Sequence, residues 1–318
     1  MTEYMHTSVM LDEILSFTSD LPENALFVDC NTGEGGHSYA LLSSNPGLKM
    51  VCIDADSNIL EIAKERLNEF KDRIYFYNGW SFDFFTEYPQ ELKRPDFILF
   101  DLGISTYHYK KSGKGFSFEK DEFLDMRLDA SGGITASDLL ARLGEKDIAD
   151  LIYNNSGEKY SRRIASLIVQ ERQKAAITTT FTLANLIEMA VPASYRHGPI
   201  HPATRTFQSL RIAVNGELSK LYALLEAAFR VLESGGRLAV ISFHSLEDKI
   251  VKNFFRAMNK NCICPLEAPI CKCSGRRSVN ILTKKGITPT EEEIKRNPPS
   301  RSARLRVAEK ILDGDDND

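Results

Sequence analysis

The chain of 318 residues is 42% hydrophobic and 26% charged, a composition ordinary for a globular protein. Its length allows one large domain with an insertion or two modest domains, and either arrangement buries a substantial core. The first residues lack the basic and long apolar segments of a signal peptide, and no apolar stretch approaches the roughly 18 residues of a membrane span. We therefore expect a cytoplasmic protein without a membrane partner.

The net charge of −4 excludes no class of partner, because four aspartates lie in the final segment 313–318, which we expect to be a disordered acidic tail. Basic residues elsewhere cluster locally, as in 110–114, 162–163 and 276–285. Such clusters are as typical of a solvated surface as of a nucleic-acid interface.

Four short apolar runs in the first third of the chain predict strands. They are rich in branched and aromatic residues and cover 25–29, 50–54, 74–77 and 96–101. The second and third runs are separated by a segment with helical spacing, 57–70. This alternation predicts an α/β fold with a parallel sheet covered by helices on both faces.

The next clear strand, 237–242, comes far later than the about 30 residues of a βαβ unit allow. The chain between has apolar residues three and four apart and predicts helices at 136–143, 146–153, 158–174, 182–190 and 218–232. Two further extended runs, 279–282 and 304–308, follow. We therefore predict a sheet domain formed by 1–105 and 217–312, interrupted by a helical domain at 106–216 that recognises the substrate.

A glycine-rich turn between the first strand and the next helix predicts a nucleoside site. Gly35 and Gly36 lie in this turn, and Asp54 ends the second strand about 20 positions later, where an acid accepts the ribose hydroxyls. The turn carries Glu34 and follows Asp29, and it has no lysine or arginine between 25 and 45. Negative charge disfavours a phosphate, so the turn favours the sulfonium of S-adenosylmethionine over the pyrophosphate of a dinucleotide. A dinucleotide site and a purely structural turn stay the alternatives.

Further candidates follow the other strands, at the carboxyl edge where open α/β sheets bind ligands. Asp101 ends the fourth strand and can accept a hydrogen bond from an amine that is methylated, or else cap a helix. Ser242 and His244 end the fifth strand and either line the site or serve the structure. Trp80 follows the third strand, where its ring either covers an adenine or packs into the core.

Two C-x-C pairs in the loop 262–273 indicate a structural zinc site. Four thiolates can bind Zn²⁺, and disulfides are rare in a cytoplasmic protein. The predicted ligands are Cys262, Cys264, Cys271 and Cys273.

Several long motifs carry a resemblance to one family. They are HTSVML at 6–11, GEGGHS at 33–38, DLGIS at 101–105, HPATRTFQSLRIAVNGEL at 201–218, GGRLAVISFHSLEDKIVKNFF at 235–255 and NPPSRSARLRVAEK at 297–310. With these motifs the chain resembles the ribosomal RNA small-subunit methyltransferase H family almost from end to end. The resemblance implies a class I S-adenosylmethionine-dependent methyltransferase, which has a Rossmann-like sheet, with an inserted all-helical domain.

The resemblance also implies site residues and a reaction. The family's S-adenosylmethionine contacts include two glycines with the histidine that follows them, and an aromatic residue after the third strand. They also include a glutamine, which is replaced by histidine in this chain. In this chain they are Gly35, Gly36, His37, Asp54, Trp80 or Ser81, Asp101 and His108. The implied reaction is methylation of the N4 amine of a cytidine in 16S ribosomal RNA within the small ribosomal subunit, by direct in-line transfer. An enzyme acting on a small molecule and a non-catalytic RNA-binding or nucleoside-binding module remain the alternatives.

Overall fold

The computed structural model describes residues 7–261 and 277–311. The strands within these residues are β1 (Leu26–Asp29), β2 (Lys49–Asp54), β3 (Ile74–Asn78), β4 (Phe97–Asp101), β5 (Arg237–Ser242), β6 (Val279–Ile281) and β7 (Arg304–Lys310). They form one sheet in the order β3-β2-β1-β4-β5-β7-β6. The strands β1 to β5 pair in parallel, whereas β7 is antiparallel to both β5 and β6. This order confirms the predicted α/β class and its Rossmann-like sheet.

The α-helices are α1 (Leu11–Phe17), α2 (Gly36–Ser44), α3 (Ser57–Arg66), α4 (Ser81–Thr86), α5 (Thr106–Lys110), α6 (Ala136–Arg142), α7 (Glu145–Ser156), α8 (Ser161–Arg172), α9 (Thr180–Ala190), α10 (Ala193–Arg196), α11 (Ala203–Asn215), α12 (Leu221–Val231), α13 (Ser245–Met258) and α14 (Glu291–Arg296). Short 3-10 helices cover Asn68–Arg73 and Pro298–Ser302. None of the helices in 7–261 and 277–311 is both long and apolar enough to span a membrane.

The central strands β1, β4 and β5 are buried on both faces, as their continuous apolar runs predict. On β1, Val28 packs with residues of α4, α12 and α13, whereas Phe27 packs with residues of α1, α2 and α3. The Phe27 ring stacks on Phe97 of β4 with ring centroids 4.9 Å apart. Helices thus cover both sides of β1, and because β1 to β5 are parallel their carboxyl ends meet at one edge.

The chain divides into two compact units. One contains the described residues up to Ile104 together with those from Lys220 onward, and the other is Ser105–Ser219. The second unit is described throughout, and its regular elements are helices, with a single β-bridge between Phe123 and Thr179. Within it α7 packs against both α8 and α11.

Several helices of the second unit differ from the sequence prediction, which did not include the short helices α5 and α10. The predicted helix 158–174 begins only at Ser161, because Gly157 ends α7 in a left-handed conformation and Glu158 turns its side chain inward. The helix α11 (Ala203–Asn215) was not predicted, although Ala203, Phe207 and Leu210 are spaced three and four apart and are all buried. The polar residues of α11 weaken its apolar spacing in the sequence, so the helix is recognised from the burial of one face in the folded unit.

Candidate active site

The parallel strands end in polar side chains at one edge of the sheet. These residues are Asp29, Asp54, Asn78, Asp101 and Ser242. Three of the five are aspartates, and each follows apolar residues buried in the sheet. The carboxyl edge of the sheet is therefore acidic, as the sequence predicts.

The glycine turn is tied to Asp54. The Gly33 amide donates to Asp54 Oδ2 at 2.9 Å, and the Asp56 amide donates to Oδ1 at 3.0 Å. Gly35 has φ of +76°, a left-handed conformation that favours glycine, and its amide donates to the Thr32 carbonyl at 2.8 Å. Besides its predicted ribose role, Asp54 thus shapes the turn, a contact that the spacing alone does not indicate.

The start of α2 is covered by the N-terminal segment. A Cβ atom at Gly36 would overlap the Ser8 hydroxyl, so a larger residue here would require the Ser8 side chain to move. The next residue, His37, is buried, and its Nε2 lies 3.0 Å from the Val9 carbonyl oxygen. Because a carbonyl only accepts, Nε2 carries a hydrogen and donates it. The other nitrogen, Nδ1, faces Asp101 Oδ2 at 3.6 Å.

Two carboxyl groups with a buried oxygen lie at the ends of the adjacent strands β1 and β4. Asp29 accepts a hydrogen bond from Ser38 Oγ at 2.7 Å, and burial raises its pKa to about 6. Burial also raises the pKa of Asp101 well above its usual range, and the negative charges of Asp29 and Glu247 add to this effect. In the described part of the chain, Oδ1 of each aspartate is buried without a hydrogen-bond partner. Unpaired buried acceptors are costly, so this site favours a ligand that brings positive charge or hydrogen-bond donors.

One basic residue near the turn was missed by the sequence analysis. Arg66, from α3, donates from Nη1 to the Glu34 carbonyl at 3.3 Å and lies over the Tyr39 ring at 5.6 Å. It is a long way from the turn in sequence, so the local absence of basic residues does not reveal it. Arg66 therefore adds a positive charge on the helical side of the turn.

Of the two candidates for the aromatic contact, Trp80 is the more accessible. Ser81 is buried and donates from Oγ to the Cys30 carbonyl at 2.7 Å, whereas Trp80 precedes α4 and is half-buried. His108 belongs to the second compact unit, where its buried ring contacts Tyr107 and Phe116 at centroid distances of 5.7 and 5.5 Å. The assignments of Trp80 and His108 to the cofactor stay predictions.

The residues after β5 form the start of α13. Ser242 is buried and donates to the Arg304 carbonyl at 3.3 Å. The His244 side chain accepts from the Glu247 amide at 3.4 Å, and the buried Glu247 carboxylate accepts from the Phe243 and His244 amides at 2.8 and 3.2 Å. These contacts give Ser242 and His244 structural roles, and their part in the site stays a prediction. The predicted zinc ligands Cys262, Cys264, Cys271 and Cys273 lie outside the described residues.

Comparison with known proteins finds relatives that match nearly the whole chain. The sequence profile of the MraW methylase family matches residues 3–311. The ribosomal RNA small subunit methyltransferase H of Treponema denticola is 55% identical over 307 residues, which cover 96% of this chain and 98% of that protein. The proteins of the same name from Dehalococcoides mccartyi and Borrelia turicatae are each 44% identical and align with 98% of this chain and with 88% and 100% of their own lengths.

The crystal structure of an rRNA methylase from Streptococcus thermophilus aligns with 97% of this chain and 100% of that chain, at 11% identity and a TM-score of 0.42. The family assignment depends on the sequence matches instead, which extend over nearly the whole chain. On these matches, the chain belongs to the MraW methylase family.

Proposed function

We propose that this chain uses S-adenosylmethionine to methylate the exocyclic N4 amine of a cytidine in 16S ribosomal RNA within the small ribosomal subunit. Its membership of a methylase family and the names of its relatives support this assignment. The observation that carries the proposal is the buried and unpaired Oδ1 of Asp101 at the end of β4. It is a hydrogen-bond acceptor at the edge where open α/β sheets bind their ligands.

The residues at this edge fit a cationic nucleoside. Asp29 and Asp101 leave two buried oxygens without hydrogen-bond partners among 7–261 and 277–311, and the glycine turn contributes a further acid. S-adenosylmethionine supplies the transferable methyl group and carries the positive charge that such a site favours. Asp54 would accept the ribose hydroxyls, and the half-buried Trp80 would pack against the adenine.

Asp101 would position the attacking amine. The lone pair of the cytosine amine is delocalised into the ring, so an acceptor that holds one N–H hydrogen aligns the nitrogen and stabilises the positive charge that develops on it. This role requires the ionised carboxylate, and positive charge bound nearby lowers a pKa that burial has raised. His37 Nδ1, 3.6 Å from Asp101 Oδ2, is the nearby base that would receive the amine proton from the carboxyl group.

We further propose that Ser105–Ser219 recognises the RNA substrate. The unit is helical, and several of its basic residues are exposed. Phosphate contacts from lysine and arginine supply most of the affinity of proteins for nucleic acids. A cytidine inside a folded ribosomal RNA is accessible only when the base is unstacked, so we expect the target base to be splayed out.

The decisive experiment is methyl transfer from labelled S-adenosylmethionine to small ribosomal subunits that lack the modification. We expect label in 16S ribosomal RNA, and mass spectrometry of the digested RNA should identify N4-methylcytidine. Label in another nucleoside, in protein or in a small molecule would contradict the proposed substrate. Binding of NADH in place of S-adenosylmethionine, measured by calorimetry, would contradict the proposed cofactor.

A structural zinc ion at Cys262, Cys264, Cys271 and Cys273 is a separate proposal. Metal analysis of the purified protein should give about one equivalent of zinc, the stoichiometry of a four-thiolate site. A Cys271→Ser variant should lose the metal, because a structural site needs all its ligands. A clearly lower zinc content in the unchanged protein would exclude this site.

A further inference from the structure

We infer that the helical unit binds RNA phosphates at a surface formed by Lys159, Tyr160, Arg163, Tyr195 and Arg205, which we call the Tyr195 cluster. The inference extends the proposed function, on which it depends for the identity of the ligand. Lys159 and Tyr160 directly precede α8, whereas Arg163, Tyr195 and Arg205 lie in α8, α10 and α11, and all five belong to Ser105–Ser219. The cluster thus lies within a single compact unit.

Two tyrosine rings form the base of the cluster. Tyr160 and Tyr195 pack edge to face, with ring centroids 4.9 Å apart and an interplanar angle of 72°. Lys159 Nζ lies 5.0 Å from both centroids, and the Arg163 guanidinium lies 6.0 Å from the Tyr160 centroid. Cation–π contacts of this kind hold flexible cationic side chains in place without neutralising their charge.

The Tyr195 hydroxyl links the rings to a third cation. It donates to Glu158 Oε2 at 2.6 Å and accepts from Arg205 Nη1 at 3.2 Å. Burial, together with the neighbouring Glu158 carboxylate, raises the pKa of Tyr195 to about 12, so the hydroxyl keeps its proton at neutral pH. Glu158 is fully buried, and its Oε1 accepts from the Tyr160 amide at 2.8 Å. The cluster therefore rests on a buried carboxylate that orients both tyrosines.

The charges of the cluster do not balance. Glu158 is the one carboxylate that the described residues place within 4.0 Å of any of the three cations, and it lies 4.0 Å from Arg205. Lys159 and Arg163 are exposed and have no carboxylate partner in the described part of the chain. Three cations that share two tyrosine rings and one carboxylate leave an excess of positive charge at the surface.

This excess of positive charge is typical of a surface that binds an anionic ligand. Pairing each cation with a carboxylate would cancel the charge of the surface, whereas these cations leave it available to an anionic ligand. Unpaired cations fixed on aromatic rings are instead typical of proteins that follow a single-stranded nucleic-acid backbone. Because Lys159 and Arg205 both contact Tyr195, they are close enough together to bind phosphates of one RNA strand.

The test measures binding of a short fluorescein-labelled single-stranded RNA to the full chain by fluorescence anisotropy, over a range of KCl concentrations. The variant Lys159→Gln/Arg163→Gln should bind at least about tenfold more weakly, since it loses two charged contacts. The slope of log affinity against log salt should fall by about 0.7 for each phosphate contact that is lost. Lys146→Gln is the matched control, because Lys146 is an exposed lysine of the same unit that already pairs with Asp150.

Tyr195→Phe separates positioning from charge. It keeps all three cations but removes the hydroxyl that holds Arg205, so we expect weaker RNA binding, to a smaller extent than in the double variant. Circular dichroism and calorimetric binding of S-adenosylmethionine should be unchanged in every variant. If the double variant kept wild-type affinity and salt slope, the inference would be overturned. The proposed function has a separate readout, because it depends on methyl transfer to RNA by the unchanged protein. Equal displacement of the RNA by polyglutamate of matched charge would assign the cluster to an acidic protein and would also overturn it.

Discussion

Asp101 is the residue on which the proposed chemistry depends most directly. Replacing it with asparagine keeps the size of the side chain but removes the charged acceptor, so we expect the turnover of methyl transfer at saturating S-adenosylmethionine to fall about 100-fold or more. Saturation with the cofactor separates this effect from weaker cofactor binding. Asp83→Asn, at an exposed carboxylate of α4, should retain wild-type turnover. Equal turnover in the wild type and in Asp101→Asn would rule out the positioning role.

Asp29 makes the stability of the ligand-free protein depend on pH. Its pKa rises on folding from 3.8 to about 6, so the folded state holds this proton more tightly than the unfolded state does. The protonated Asp29 therefore contributes fully to the free energy of unfolding below pH 3.8. This stabilisation is lost as the pH rises through about 6, at a cost on the order of 3 kcal/mol. In Asp29→Asn this loss is absent.

Urea unfolding of the ligand-free protein at pH 4 and pH 7.5 measures the effect. We compare the free energy of unfolding of Asp29→Asn with that of wild type at each pH. The difference should favour the variant more at pH 7.5 than at pH 4, by an amount that approaches the cost given above. The same stability difference at both pH values would contradict the shifted pKa of Asp29. S-adenosylmethionine should also bind wild type more tightly at pH 7.5, because the ionised carboxylate attracts its positive charge.

At the scale of elements, Asn215 fixes the loop that precedes α6. Its side-chain amide donates to the Met126 and Arg211 carbonyls at 2.8 and 2.9 Å, and its oxygen accepts from the Leu128 amide at 2.9 Å. Met126 itself is buried with φ of +63°, an uncommon conformation for a residue with a side chain. One side chain at the end of α11 thus holds a strained turn far away in the sequence.

Asn215→Ala should lower the free energy of unfolding by about 2–3 kcal/mol, since it removes three hydrogen bonds and leaves partly buried backbone groups without these partners. Asn155→Ala is the comparison, because it removes the bond from the Asn155 amide to the Ser209 carbonyl at 3.2 Å and should cost about 1 kcal/mol. Equal costs in urea unfolding would show that the turn does not depend on Asn215.

The elements also show how far sequence reasoning reaches. The first five strands were predicted to within one residue, because branched and aromatic runs buried on both faces leave a clear signal. Glycine spacing located the turn that holds Gly35, and strand ends located Asp54 and Asp101. The Glu158–Tyr195 hydrogen bond joins residues 37 positions apart and depends on how α7, α8 and α10 pack. No local pattern encodes such a contact, so the Tyr195 cluster is recognisable only in the folded unit.

At the scale of the whole molecule, Ser105–Ser219 has a core of its own. Its buried apolar side chains include Leu140, Ile148, Ile152, Ile164, Ile168, Leu183, Ile187 and Leu210. We therefore expect a fragment of these residues to fold alone, with a helical circular dichroism spectrum and a cooperative urea transition. Ile152→Ala should destabilise the fragment by about 2–5 kcal/mol. A broad transition without cooperativity would contradict an independent core.

The position of β7 also bears on biosynthesis. This strand is drawn from the last described residues, yet it lies between β5 and β6 and supplies the buried Arg306, which forms an ion pair with Asp248 of α13 at 2.6 Å. During translation all residues of Ser105–Ser219 are made before residues 304–310. The sheet is complete only when these residues have been made, because they form β7 between β5 and β6. A chain that ends before residue 304 therefore lacks β7, and we expect it to have an unfinished sheet and no methyl transfer.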